Sequence, residues 1–103
     1  MHKIIVLYNP PKDANHFRSY YEGTHLPLAA KLPGLLASRH SFTLHGPAGH
    51  SPYFCIWEGE FADEAAAIRA MTSDIGQRVA ADGANYADGG MTLIHFTAVA
   101  GAA

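Results

Sequence analysis

The run Lys3-Ile4-Ile5-Val6-Leu7-Tyr8, which stops at Asn9-Pro10-Pro11, decides the fold of this chain. β-Branched and aromatic residues favour a strand, and the prolines end it because they lack the backbone N–H that a sheet ladder needs. Runs of similar character recur over residues 35–45, 53–61 and 91–96. The sequence therefore predicts four strands.

Helices are predicted in the gaps between these strands. Residues that cap or stop a helix mark their ends, namely Asp13, Gly23, Pro33-Gly34, Asp63 and Ser73. Thr24 to Lys31 is predicted to form a short separate helical piece. The order β-α-β-β-α-β indicates one ferredoxin-like α+β domain over residues 1–103, a four-stranded antiparallel sheet with helices on one face.

The strands are apolar on both of their faces. Large apolar residues occupy odd and even positions in Ile4-Ile5-Val6-Leu7, in residues 53–57 and in Leu93-Ile94. A sheet covered on one face only would alternate apolar with polar residues. Exposing the second face would cost about 1.5–3 kcal/mol for each large side chain. We therefore expect two copies to pair their sheets face to face as a homodimer.

Composition argues against several classes of protein. Seven Lys and Arg against nine Asp and Glu give a net charge of −2, so no basic stripe is available for nucleic acid. No apolar run has the roughly 20 residues that a membrane span needs, and the N-terminus does not resemble a signal peptide. The single Cys55 has apolar neighbours and forms no Cys cluster. We expect a cytoplasmic protein.

The segment Thr24-His25-Leu26-Pro27-Leu28 is the candidate functional landmark. The chain lacks nucleotide-binding, zinc-protease and nucleophile-elbow motifs, so its histidines are the main candidates for chemistry. His25 lies at a predicted helix junction, where an imidazole can exchange a proton near neutral pH. The alternative is that His25 only caps the following helical piece or bonds a carbonyl at the junction.

Two further histidines belong to strands. His40 lies at an apolar-face position of strand two, which makes it the second catalytic candidate, and His95 in the last strand is a candidate for binding substrate. A lone histidine on a strand is more often a satisfied core or interface group. The steps from His40 to His45 to His50 do not converge on one ion, so we expect no metal.

Aromatic side chains complete the candidate site. Tyr20, Tyr21 and Trp57 are candidates for lining a pocket that binds a flat organic molecule. Aromatic residues of this kind more commonly belong to the core or to an interface.

Two stretches together resemble a known family. Phe17-Arg18-Ser19-Tyr20-Tyr21-Glu22-Gly23-Thr24-His25-Leu26-Pro27-Leu28-Ala29-Ala30-Lys31-Leu32-Pro33-Gly34 is similar to the signature of the EthD family, and residues 73–90 are similar to its closing helix and loop. The resemblance implies a ferredoxin-like protomer of the dimeric α/β-barrel superfamily. It places the family histidine at His25, beside Tyr20 and Tyr21, and gives no counterpart for His40.

The resemblance also implies a range of chemistry. EthD members are commonly described as oxidoreductases, and the superfamily includes cofactor-free monooxygenases, lactone isomerases, decarboxylases and heme enzymes. Nothing in the chain resembles a heme-ligand context, so we expect no cofactor. The leading hypothesis is a catabolic enzyme in which His25 takes a proton from an aromatic, enolic or lactone-type metabolite. The rival is a non-catalytic protein that binds a hydrophobic metabolite.

Overall fold

A computed structural model describes residues 1–102; the predicted domain reaches Ala103, which lies outside them. The elements are β1 (His2–Tyr8), α1 (Ala14–Tyr20), a π-helical turn (Tyr21–His25), α2 (Leu26–Ala29), β2 (Ala37–Ser41), β3 (Cys55–Phe61), α3 (Glu64–Thr72), α4 (Asp74–Asp82), a 3₁₀ turn (Gly83–Asn85) and β4 (Met91–Thr97). None of the helices in residues 1–102 is long and apolar enough to cross a membrane.

The strands form one antiparallel sheet in the order β2-β3-β1-β4. This order and the helices packed on the sheet confirm the predicted ferredoxin-like fold. The ends of two strands differ from the prediction, since β2 covers only Ala37–Ser41 and β3 begins at Cys55. The residues between them instead form a loop. The sequence predicts strand at residues 42–45 and 53–54; of these, Phe54 still donates its N–H to the carbonyl of Tyr8 at 2.8 Å.

The first helical region is continuous, which differs from the predicted break at Thr24. α1 passes into α2 through the π-helical turn, and the Leu26 N–H donates to the carbonyl of Tyr21. The predicted caps fit the other helix starts, because Asp13, Asp63 and Ser73 each accept a hydrogen bond from a backbone N–H of the first turn.

The sheet has two distinct faces. The side chains of β1 and β3 that face the helices are buried, whereas their other side chains are only partly buried. We call that second side of the sheet the open face. It carries five large apolar side chains and four charged ones, namely Ile5, Leu7, Ile56, Ile94 and Phe96, and Lys3, Arg39, Glu58 and Glu60. The predicted apolar second face is therefore apolar in one half and charged in the other.

Gly76 allows α3 and α4 to meet at a sharp corner. Its N–H donates to the Ser73 hydroxyl at 3.0 Å, and a Cβ at this position would collide with the backbone oxygens of Ala70 and Met71. Backbone atoms cannot swing aside as a flexible side chain can. The corner therefore depends on a residue without a side chain.

We expect Gly76→Ala to lower the free energy of unfolding by about 1–3 kcal/mol, the usual cost of overpacking. The matched control is Gly23→Ala, because a Cβ at Gly23 meets no atom within 4 Å. Urea unfolding of both variants measures the difference. Equal stability of the two variants would show that the corner relaxes freely.

Candidate functional site

A cavity of about 250 Å³ lies between the sheet and the helices. We call it the inner pocket. Most of its wall is apolar and comes from β1, β3, β4 and α4, with Val6, Trp57, Leu93 and Val79 as examples. The groups on its wall that can exchange a proton are Tyr8, His25 and Tyr86. An apolar pocket with a few convergent polar groups is the usual form of a small-molecule site.

The π-helical turn carries His25 to the pocket wall. In a regular α-helix, the side chain at position i+4 is rotated about 40° around the axis from the side chain at position i. The wider turn at Tyr21–His25 offsets this rotation, so Phe17, Tyr21 and His25 are all buried on one side. The ring of Tyr21 stacks on that of His25 with centroids 5.3 Å apart. Such π-helical turns are frequent at functional sites.

His25 is the centre of a chain of hydrogen bonds. Its Nδ1 lies 2.9 Å from Oδ2 of Asp82, at the end of α4, and its Nε2 lies 2.9 Å from the hydroxyl of Tyr86. The Tyr86 hydroxyl lies a further 2.9 Å from that of Tyr8, on β1. His25 makes no capping hydrogen bond to the helix that follows it. The imidazole thus connects two helices to the sheet.

Asp82 fixes the direction of every bond in this chain. Burial raises the pKa of the Asp82 carboxyl, but hydrogen bonds from Tyr20, Asn85 and His25 together hold this pKa below its ordinary value. An ionised carboxylate only accepts, so the proton of His25 lies on Nδ1. Nε2 then accepts from the Tyr86 hydroxyl, which itself accepts from the hydroxyl of Tyr8.

The second oxygen of the Asp82 carboxylate, Oδ1, also accepts hydrogen bonds. The Tyr20 hydroxyl donates to Oδ1 at 2.6 Å, and the amide of Asn85 donates to the same oxygen at 3.0 Å. These bonds orient the carboxylate toward His25. Asp82 is therefore a positioning group for the imidazole.

The same burial that forms the pocket keeps His25 neutral. Burial lowers the pKa of His25 below its ordinary value, against the opposite effect of the Asp82 carboxylate. Burial also raises the pKa values of Tyr8 and Tyr86, so both remain phenols at neutral pH. A neutral imidazole beside hydroxyl donors can act as a base without first losing a proton.

Three predicted site residues adjoin the hydrogen-bond chain or the pocket. Trp57 lines the inner pocket. Tyr20 is outside the pocket lining and holds Asp82, and Tyr21 is fully buried behind His25. The hydroxyl of Tyr21 has no hydrogen-bond partner among residues 1–102. Their roles in binding substrate stay predictions.

The other two predicted residues lie away from the pocket wall. His40 is exposed on the edge strand β2, and its ring meets the edge of Tyr21 with centroids 5.9 Å apart. His95 is exposed on β4, where its Nδ1 lies 2.8 Å from Nε2 of the buried His2. The structure does not bring either one to His25.

Sequence reasoning missed three members of the chain of hydrogen bonds, namely Tyr8, Asp82 and Tyr86. Asp82 and Tyr86 lie within residues 73–90, and the resemblance of this stretch to the closing helix and loop of the EthD family is the one signal in the sequence that points to them. Within residues 1–102, no three metal-ligating side chains converge. Burial raises the pKa of the Cys55 thiol to about 12, so it is not a nucleophile at neutral pH.

Comparison with known proteins decides the family. A model of the EthD domain matches residues 9–90. An uncharacterised 11.0 kDa protein from the thcB–thcC intergenic region of Rhodococcus erythropolis is 31% identical over 96 residues, which is 91% of each chain. This chain belongs to the EthD family.

Solved structures agree with the EthD fold. An EthD family protein of Bacillus halodurans superposes with a TM-score of 0.88 and 30% identity, covering 96% of this chain and 99% of that one. A dimeric ferredoxin-like protein of Jannaschia sp., of unknown function, gives 0.66 and 23%, covering 94% and 98%. The second likeness shows the fold alone.

The lowered pKa of His25 predicts how stability depends on pH. Below about pH 6.5, the ordinary value for histidine, the unfolded chain binds a proton that the folded site resists. The free energy of unfolding should therefore fall as pH drops from 7 toward 5. Urea unfolding at a series of pH values measures this slope.

His25→Gln should flatten this pH dependence more than His50→Gln does, because His25 is buried and His50 is exposed in a loop. Comparing the two variants separates the effect of His25 from that of losing a histidine elsewhere in the chain. An unaltered slope in His25→Gln would mean that His25 titrates as it does in the unfolded chain.

Proposed function

We propose that this EthD protein binds a small, largely apolar metabolite in the inner pocket and removes a proton from it with His25. EthD family membership, the ferredoxin-like fold and the pocket support a small-molecule-binding domain. The hydrogen-bond chain from Asp82 through His25 to Tyr86 at the pocket wall is the observation that carries the catalytic part of the proposal.

Tyr86 defines how the proton would travel. Its hydroxyl is hydrogen-bonded to Nε2 of His25, so the ligand cannot reach that nitrogen directly. The ligand would give its proton to the Tyr86 oxygen, and the hydroxyl proton of Tyr86 would move to Nε2. Burial raises the pKa of Tyr86, so a Tyr86 phenolate would be costly to form. The two protons therefore move together. Asp82 stabilises the positive charge that develops on the imidazole while Nε2 takes up the proton.

The apolar wall selects the substrate class. A pocket with so few polar groups suits an aromatic, enolic or lactone-type compound whose anion is delocalised. Such an anion needs no cofactor to form. Returning the proton to another carbon would make the reaction an isomerisation, whereas reaction of the anion with O₂ would make the protein a monooxygenase-type oxidoreductase.

A non-catalytic binding protein is the second candidate. It is favoured by one feature, since Tyr8, Tyr86, His25 and Asp82 satisfy one another without a ligand. A closed chain of this kind stabilises a fold by itself. The two candidates differ in whether a bound ligand exchanges its acidic proton.

Deuterium exchange of 2-tetralone, an aromatic ketone that forms an enol, tests the proposal. We expect the protein to bind it and to accelerate exchange at the carbon between ring and carbonyl. His25→Gln should retain binding and lose about 10²–10⁴-fold of the acceleration, the usual contribution of a general base. NMR in D₂O measures exchange, and titration calorimetry measures binding.

His50→Gln is the matched histidine control and should exchange the ketone at the wild-type rate. Binding without any acceleration by the wild type would favour the binding protein. Absence of binding would contradict the proposed ligand class. Native mass spectrometry of the purified protein would then show whether another small molecule accompanies it.

We also propose that the protein is a homodimer joined through the open face. The sequence argument from strand faces and the dimeric Jannaschia relative support this. Ile94 and Phe96 on β4 are 50% and 44% exposed, and Ile94 lies beside Ile5 in the sheet. Burying such side chains is worth about 1.5–3 kcal/mol each.

Ile94→Glu should shift the protein from dimer to monomer in sedimentation velocity at micromolar concentration. The matched control is Ile68→Glu, because Ile68 is 43% exposed on α3, on the other side of the sheet. Dissociation by Ile68→Glu instead would place the interface on the helices. A wild-type monomer would contradict the proposal outright.

A further inference from the structure

A second concavity lies on the far side of the bond between His25 and Asp82. We call it the outer groove, and it is open to solvent between the first helical region and α4. Its wall includes Thr24, Leu28, Lys31, Arg78, Ala81 and Asp82. No residue of this wall also lines the inner pocket. The two concavities are thus separate, and they differ sharply in polarity.

One hydrogen bond spans the partition between them. His25 lines the inner pocket, Asp82 lines the outer groove, and their side chains meet at 2.9 Å. The side chain of Asp82 is 12% exposed, whereas that of His25 is 6% exposed. A proton on Nδ1 of His25 therefore has a carboxylate with access to water as its immediate neighbour.

We propose that the outer groove is the solvent end of a proton path, and that the inner pocket takes the substrate. When Nε2 receives a proton, the proton on Nδ1 moves to Oδ2 of Asp82 and from there to water. The reverse sequence restores the proton on Nδ1 when Nε2 gives its proton to the product. This inference rests on the proposed role of His25 as a base.

The surroundings of Asp82 suit it to passing the proton on. Hydrogen bonds hold the pKa of its carboxyl below the ordinary value, so a proton that reaches Asp82 is released to water readily. Tyr20 and Asn85 donate two of these bonds to its other oxygen. The inner pocket offers no comparable exit, because a bound ligand would fill its apolar space. Because the groove and the pocket are separate, the proton can exchange with water in the outer groove while water is excluded from the substrate in the inner pocket.

The first test follows the Nδ1–H of His25 by NMR in protein labelled with [¹⁵N]histidine, assigned by comparison with His25→Gln. Ala81→Phe puts a bulky ring in the outer groove, and Val79→Phe puts one in the inner pocket. We expect Ala81→Phe to slow the exchange of this proton with water and Val79→Phe to leave it unchanged. The opposite pattern would overturn the proposed path.

The second test is chemical rescue with formate. Asp82→Ala removes the acceptor, so His25 should lose its preference for the proton on Nδ1, and added formate should restore that preference from the groove. Ala81→Phe in the same background should abolish the rescue, whereas Val79→Phe should not. Rescue that is blocked only by Val79→Phe would overturn the proposal. If Asp82→Ala fails to fold, the exchange rates with Asp82 intact decide.

These tests separate the two proposals. Both use the free protein, so a negative result for the outer groove leaves proton abstraction by His25 untouched. Conversely, failure of the wild type to exchange the acidic proton of 2-tetralone would refute the base role while the route of the Nδ1 proton could still be mapped.

Discussion

The two hydrogen bonds of one buried imidazole link the first helical region, the end of α4 and the sheet of this protein. His25 bonds Asp82 at the end of α4 and Tyr86 beyond it, and Tyr86 bonds Tyr8 on β1. His25, Tyr8 and Tyr86 are all buried, so removing one partner would leave another unpaired at a cost of about 1–3 kcal/mol. The π-helical turn, the end of α4 and the end of β1 must therefore stay in register. The inner pocket is the space that this arrangement encloses.

Two opposing effects act on the imidazole, and their balance links stability to chemistry. The Asp82 carboxylate favours the charged ring, but burial outweighs it and lowers the pKa of His25. A charged ring would be the better structural tie, whereas a neutral ring is the better base. The site keeps the neutral form and places it on a cavity wall rather than deep in the core, where Tyr21 and Phe17 lie. The position and the protonation state of His25 thus both fit its proposed role as a base.

Local sequence signals predicted the fold well, whereas contacts between residues far apart in the chain could not be predicted. Helix caps such as Asp13 and Ser73 act within one turn, so the sequence alone reveals them. Asp82 is 57 residues from His25, and nothing in a single sequence pairs them. The face of His40 follows from its position opposite Trp57, yet β2 is an edge strand, which leaves His40 exposed. Alternation predicts a face, but burial depends on what packs there.

The open face shows how the proposed dimer and the site share one strand. Its charged half holds two cations, Lys3 and Arg39, and two carboxylates, Glu58 and Glu60, so the charges cancel within one protomer. Two such faces can meet without net repulsion, while the apolar half provides the stabilisation. That half includes β4, whose opposite face carries the pocket residues at 91 and 93. Covering one face of β4 in the proposed dimer would therefore hold in place the pocket wall on the other.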